Sequence, residues 1–491
     1  VNARTSTATV APPDSAGIER ADDVVRGLDL ADTGIAVTDP GTGETIAHVP
    51  DAHSTDITRT LGAAHRAGAD WAQTTPRERS NVLHRWWELL NENAEEIALL
   101  ITREMGKTLP EARGEVKYGN DFVRWYAEQA VRSGGNFQEA PDGGSRIVTR
   151  RSPVGLAVLI TPWNFPLAMA TRKIAPALAA GCPAVIKPAT ATPLTAYYAV
   201  QLAHEAGVPE DLVQVVTTSS SSMFSETALR DEYTRKVSFT GSTEVGRTLL
   251  GLASERVLRT SMELGGNAPL IVFDDADMER AAAGAAAAKL RNGGQSCIAA
   301  NRMYVQSGIA DDFVSAYREQ MESVRIGHGL TEGVGIGPLI NEAAVRDMAG
   351  LVEGAVEDGA ELLTGGHAPE GAGNYFEPTV LDRVPPKARI TGTEIFGPIA
   401  AIQRFDDEDE AIARANDTEF GLAGYVFTES LDRAFRAADR LETGLVGINQ
   451  GVPSNAAAPF GGVKQSGLGR EGGAEGLEEY QNIRFYNIAS R

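Results

Sequence analysis

The apolar positions divide the chain into stretches of different period. Between Asp56 and about Arg132 they recur at helical spacing. Pro76 falls where the first position of a helix accepts a proline, and Val82, Leu83, Trp86, Leu89 and Leu90 follow along one face. That face is expected to be core and carries no chemistry. The pattern then changes. Apolar runs of strand length occur at residues 155–160, 184–187, 212–216 and 236–239, each followed by a stretch that can form a helix. Repeated strand–helix units at this spacing predict a parallel sheet covered on both faces. A second alternating region from Ala268 to about Ile448 predicts another α/β domain. Within it, residues 281–288 are all alanine apart from Gly284 and read as helix.

The chain has 491 residues, too many for one compact core at roughly 100–200 residues per domain. Hydrophobic residues at 42% and charged residues at 23% describe a globular protein rather than a disordered one. The formal net charge of −21 repels phosphate backbones and anionic lipids, so no nucleic-acid or membrane partner is expected. No apolar run approaches the roughly 18 residues of a spanning helix. Residues 1–22 are rich in Ala, Ser, Thr and Pro, lack the apolar core of a signal peptide, and are expected to form a mobile arm. Two cysteines predict no disulfide framework, and the expected location is the cytoplasm.

Ligands of an open parallel sheet bind beyond the carboxyl ends of its strands. The first strand empties into Thr161-Pro162-Trp163-Asn164-Phe165-Pro166 and the second into Lys187-Pro188-Ala189-Thr190. The fourth empties into Thr240-Gly241-Ser242-Thr243-Glu244-Val245-Gly246, which enters a helix. Alone, that last loop is a strand-to-helix turn with Ser242 or Thr243 as N-cap. Converging with two other unusual loops, it points to a nucleotide site, with free N–H groups facing a phosphate. Cys182, between Gly181 and Pro183, reads as a small buried hydrophobe. Cys297 follows Gly293-Gly294-Gln295-Ser296 at the end of the alanine-rich helix, and suits a nucleophile whose pKa is lowered. With no CxxC or HExxH and only 7 histidines, metal ligation is not expected. Glu263 precedes Gly265-Gly266 at the junction of the two α/β regions, where a carboxylate near a nucleophilic thiol is a natural base for activating water.

Taken together, residues 161–166, 239–246, 263–269, 294–302 around Cys297, Glu394-Ile395-Phe396-Gly397-Pro398 and residues 459–472 resemble the aldehyde dehydrogenase superfamily. The resemblance implies a Rossmann-like cofactor domain (23–134 and 153–262) and a catalytic α/β domain (263–448). It also implies an oligomerisation arm (135–152 and 475–491) and assembly into a dimer or tetramer. It assigns Cys297 as nucleophile, Glu263 as hydrolytic base and Asn164, with the Cys297 N–H, as oxyanion donor. Lys187, Ser242 and Trp163 would contact the adenosine and pyrophosphate, and Glu394 the nicotinamide ribose. Thr161, Pro162, Pro188, Ala189, Gly241, Leu264 and Phe396 are placed around the same cofactor.

Ala168-Met169-Ala170-Thr171-Arg172-Lys173, Arg291-Asn292, and Ser454-Asn455 before Pro459-Phe460-Gly461-Gly462 look like the succinate-semialdehyde dehydrogenases. In that subfamily two arginines and a serine, here Arg172, Arg291 and Ser454, hold the substrate carboxylate. Glutarate semialdehyde and 2-oxoglutarate semialdehyde present the same group, and a non-catalytic relative on this fold is the remaining alternative. Some members carry a second cysteine two residues after the nucleophile; here it is Ala299, so that disulfide switch is absent. Thr190 stands where NAD-preferring relatives often carry a glutamate. Its neutrality removes a repulsion against the extra phosphate of NADP, which is the expected cofactor, with NAD possible.

Overall fold

A computed structural model describes residues 9–28 and 30–490. The N-terminal part contradicts the expected mobile arm. Ala11 N–H donates to Ile326 O at 3.0 Å, and Asp14 caps α1 (Ser15–Arg26). The helix buries Ala21 against Leu99 and Leu330. Tertiary contacts therefore order a segment whose composition alone is that of a loop; residues 1–8 lie outside the described residues. A hairpin of β1 (Ile35–Thr38) and β2 (Thr45–Val49) follows.

The helical region resolves into α2 (Ser54–Trp71), α3 (Pro76–Glu92), α4 (Ala94–Met105) and α5 (Leu109–Ala130). Pro76 starts α3 inside a reciprocal cap, in which Thr75 Oγ1 accepts from Glu78 N–H and Glu78 Oε2 accepts from Thr75 N–H. Leu83, Trp86, Leu89 and Leu90 are buried as expected, and Val82 is only partly so.

Strands β3 (Phe137–Glu139) and β4 (Ser145–Pro153) lead into the first large sheet. It contains β5 (Leu156–Ile160), β6 (Ala184–Lys187), β7 (Val213–Val215), β8 (Thr234–Thr240) and β9 (Arg259–Glu263), all parallel. The four apolar runs of the sequence are strands here, with ends shifted by at most two residues. Side chains of β5 alternate between two cores, as the pleat requires. Leu156 and Val158 face α2, α8 (Ser221–Arg230) and α9 (Thr243–Ser254). Ala157 and Leu159 face α3, α6 (Pro166–Ala180) and α7 (Leu194–Glu205).

Only residues 264–267 separate β9 from β10 (Ala268–Val272), the first strand of the second sheet. The alanine-rich helix α10 (Met278–Leu290) then crosses to β11 (Ala300–Gln306). The remaining strands are β12 (Glu361–Thr364), β13 (Thr379–Asp382), β14 (Ile399–Phe405), β15 (Phe420–Gly421), β16 (Ala423–Phe427), β17 (Leu445–Ile448), β18 (Val463–Lys464), β19 (Gly467–Leu468) and β20 (Gln481–Ala489). The second sheet runs β12-β13-β14-β11-β10-β16-β17, parallel except for β12. A two-stranded pair joins β15 to β18, while β19 returns antiparallel along β9, with Gly467 opposite Glu263. Strand β20 pairs with β4, and β4 with β3, in a separate antiparallel sheet. Among the described residues no helix is long and apolar enough to cross a membrane.

Candidate active site

The carboxyl ends of β5, β6, β8 and β9 bring Thr161, Lys187, Gly241 and Glu263 to one edge of the first sheet, beside the turn that carries Cys297. That turn begins where α10 ends. Residues 291–294 form a single 3₁₀ turn in which Asn292, Gly293 and Gly294 adopt positive φ (59°, 63° and 76°). A Cβ on Gly294 would sit 2.1 Å from Gly397 O, so only glycine fits this approach. A Cβ on Gly266 would likewise sit 2.1 Å from Cys297 O, which keeps the Glu263 loop against the thiol-bearing backbone.

The Cys297 side chain is partly exposed, yet its thiol is pushed up to about 12. Burial is the main cause; Glu394 and Glu263 add to it, and Arg172 and Arg291 oppose it. The lowered pKa expected from the sequence is therefore absent, because the Gly-Gly-Gln-Ser approach is itself enclosed. Buried Asn164 is tied to the same turn. Its Nδ2 donates to Gln295 O at 3.0 Å, and its carbonyl accepts from Lys107 Nζ at 2.8 Å and Asn292 Nδ2 at 2.9 Å.

Glu263, 2% exposed, ends β9 with neither carboxylate oxygen hydrogen-bonded. Burial holds its pKa well above the ordinary carboxylate range; Glu471 adds to this, while Arg172, Lys173 and Arg470 pull it down. Glu471 has the partners that Glu263 lacks. It accepts from Lys173 Nζ and from Ser238 Oγ (3.1 Å), and its Oε2 lies 2.6 Å from Arg172 Nε. Burial opposes ionisation of Glu471, but these cations hold its carboxyl below the usual range. The sequence offered Glu471 and Lys173 only as members of motifs, and their pairing was not legible.

The structure sets Arg172 against Glu471 rather than beside Arg291. Its side chain is 1% exposed, paired with Glu471 and stacked 4.6 Å from the Phe460 ring centroid. Its charge is already committed to a carboxylate of the protein. Arg291 differs: Nη1 donates to Ser454 Oγ at 3.4 Å, and the guanidinium lies 5.0 Å from the Phe165 ring centroid. Both Arg291 and Ser454 line a cavity of about 440 Å³ with Tyr118, Phe165 and Asn292. Three carboxylates on its wall have partners, Asp121 through Lys117 Nζ at 3.2 Å. Glu111 accepts from Asn292 N–H at 2.6 Å, and Glu115 from Lys107 Nζ at 2.5 Å. Among the described residues no carboxylate lies within 4.0 Å of the Arg291 guanidinium. Cys297 and Glu263 lie beyond this cavity rather than on its wall.

On the other side, Trp163 meets Phe396 edge to face at 5.5 Å between centroids. Among the described residues, buried Lys187 donates only to Pro188 O, at 3.4 Å, and burial lowers its pKa. Such an ammonium fits an anionic ligand. Ser242, not Thr243, is the N-cap of α9, accepting from Val245 N–H. The N-terminus of α7 is already filled by Glu104, which accepts from Leu194 and Thr195 N–H groups. At this edge Lys187 and the N-terminus of α9 are thus the groups open to an anion. Thr161, Pro188 and Leu264 are buried; Pro162, Ala189, Thr190 and Gly241 are partly exposed. Glu394 Oε1 accepts from Gly266 N–H at 2.9 Å, and burial raises its carboxyl to about 7.

Residues 29–486 match the Aldehyde dehydrogenase family. The chain is 50% identical over 444 residues to a succinate-semialdehyde dehydrogenase of Paenarthrobacter nicotinovorans, covering 90% of this chain and 99% of that one. It is 47% identical over 461 residues to a glutarate-semialdehyde dehydrogenase of Pseudomonas putida, covering 94% and 95%. A crystal structure of an NADP-dependent enzyme from E. coli superposes with a TM-score of 0.92 at 45% identity, covering 93% and 95%.

The enclosed thiol predicts slow alkylation. In the free protein, labelling of Cys297 by iodoacetamide should rise about tenfold per pH unit between roughly pH 7 and 9, with fully buried Cys182 slower throughout. A rate that levels off below about pH 8 would show that the thiol is already activated.

Proposed function

Because the chain belongs to the aldehyde dehydrogenase family, we propose that it oxidises succinic semialdehyde to succinate with NADP as the preferred acceptor. The observation that carries the substrate is Arg291 with Ser454, a cation–hydroxyl pair in a cavity where every nearby carboxylate is otherwise engaged. Cys297 loses its thiol proton to water, the thiolate Sγ attacks the aldehyde carbon, and the resulting oxyanion is held by the Asn164 amide and the Cys297 N–H. A bound nicotinamide supplies the hydride acceptor. Lys187 and Ser242 would hold its phosphates, Trp163 and Phe396 its flanks, and Glu394 its ribose. Glu263 then takes a proton from the water that attacks the Cys297 thioester, and its raised pKa suits it to return that proton. Glutarate semialdehyde remains the second reading, supported by the similarity to the Pseudomonas putida enzyme. Relative turnover across chain lengths separates the two.

The preference for NADP is supported by Thr190, a neutral residue near an ammonium. The antiparallel sheet of β3, β4 and β20 exposes Phe137, Ile483, Phe485 and Ile488, and supports assembly with further copies of this chain. Its mass in solution decides that point.

Arg291→Leu should raise KM for succinic semialdehyde by ~10- to 100-fold, since a charged hydrogen bond contributes about 1.5–3 kcal/mol, and should leave butanal oxidation little changed. Equal losses on both aldehydes would make Arg291 structural. Thr190→Glu should move the kcat/KM ratio toward NAD. A wild-type enzyme that already favours NAD would contradict the cofactor assignment.

A further inference from the structure

Lys289 sits in the last turn of α10 with its side chain wholly enclosed, at 0% exposure. An ammonium is costly to bury without a partner. Yet among the described residues no carboxylate lies within 4.0 Å of it. Its Nζ donates instead to Asn301 Oδ1 on β11 at 3.2 Å and to the Ile395 carbonyl at 3.4 Å. Ile395 follows Glu394 directly, and the other side of Glu394 is fixed by the Gly266 N–H. The 264–267 linker thus holds the carboxylate itself, while α10 holds the backbone of the residue that follows it.

We propose that Lys289 is a positioning residue for the cofactor. Through the Ile395 carbonyl it fixes the 394–396 segment, and its ammonium is the counter-charge that keeps Glu394 a carboxylate able to accept ribose hydroxyls. The inference rests on the reading that Glu394 faces the ribose. The charged and titratable groups acting on the pair are few. Lys289 is influenced by burial and by Glu394; Glu394 by burial, the Gly266 N–H and Lys289, with the Cys297 thiol close by. Burial brings Lys289 down to about 7 and Glu394 up to about 7, and each opposes the shift of the other. A neutral residue at 289 removes an influence that lowers the Glu394 pKa. The carboxyl would then protonate at higher pH. An arginine, whose charge does not titrate, would hold it lower.

The test is NADPH binding by fluorescence titration between about pH 6 and 9, on wild type, Lys289→Met, Lys289→Arg and Glu394→Gln. Lys289→Met should move the acid limb up by about one unit, the shift an opposite charge nearby produces, and so weaken binding about fivefold near pH 7. Lys289→Arg should move the limb the other way, which decides the matter if the methionine variant does not fold. In the Glu394→Gln background, Lys289→Met should add nothing. Limbs that coincide with wild type, or shift alike in both Lys289 variants, overturn the proposal. So does an additive loss in the double variant. Unchanged binding by Glu394→Gln would instead overturn the ribose reading itself.

Discussion

Taking a carboxylate out of water costs several kcal/mol unless cations and donors replace the solvent. This chain buries two, Glu263 and Glu471, within reach of the same pair of cations, Arg172 and Lys173. The cations do not serve both equally. Glu471 takes the contacts with Arg172, Lys173 and Ser238, and stays ionised. Glu263 receives only their distant field, so its carboxyl titrates high. An asymmetry of this kind assigns different tasks to two similar groups. It also requires α6, β8 and the C-terminal segment to meet at one point, which the return of β19 along β9 secures. The high titration of Glu263 therefore goes with the way Glu471 is satisfied.

The same logic explains what was legible in the sequence. The first two parallel strands could be read because β5 and β6 are short, almost wholly apolar runs, and the rule that ligands gather at strand carboxyl ends drew attention to the loops that follow. Asn164 and Cys297 lie on loops and Glu263 at the end of β9, close to one another at that edge. The pairing of Arg172 with Glu471 was hidden because its partner is far away along the chain; Lys173 and Glu471, for instance, are 298 residues apart. No local pattern announces such a pair. The thiol was misjudged for a related reason. Its glycine-rich approach reads as open, but Gly294 and Gly266 are there so that other backbone can close over it. Lys289 was hidden by the alanine run that precedes it, where one lysine resembles a solvated helix end.

A net charge of −21 sets a second problem, since the surface repels the anionic substrate proposed here. The answer is local. On the cavity wall Glu115 is paired with Lys107 and Asp121 with Lys117, and Glu111 is held by the Asn292 N–H, which leaves Arg291 as the guanidinium with no carboxylate partner that an incoming carboxylate can meet. Specificity for a carboxylate-bearing aldehyde therefore depends as much on silencing neighbouring acids as on supplying a cation.

The central claim is that oxidation proceeds through an acyl group on Cys297 which only Glu263 releases. Mixing Glu263→Gln with succinic semialdehyde and NADP, then digesting for mass spectrometry, tests it directly. The account predicts a succinyl group on the Cys297 peptide and one NADPH formed per subunit before turnover stalls. An unmodified Cys297 with steady turnover would contradict it.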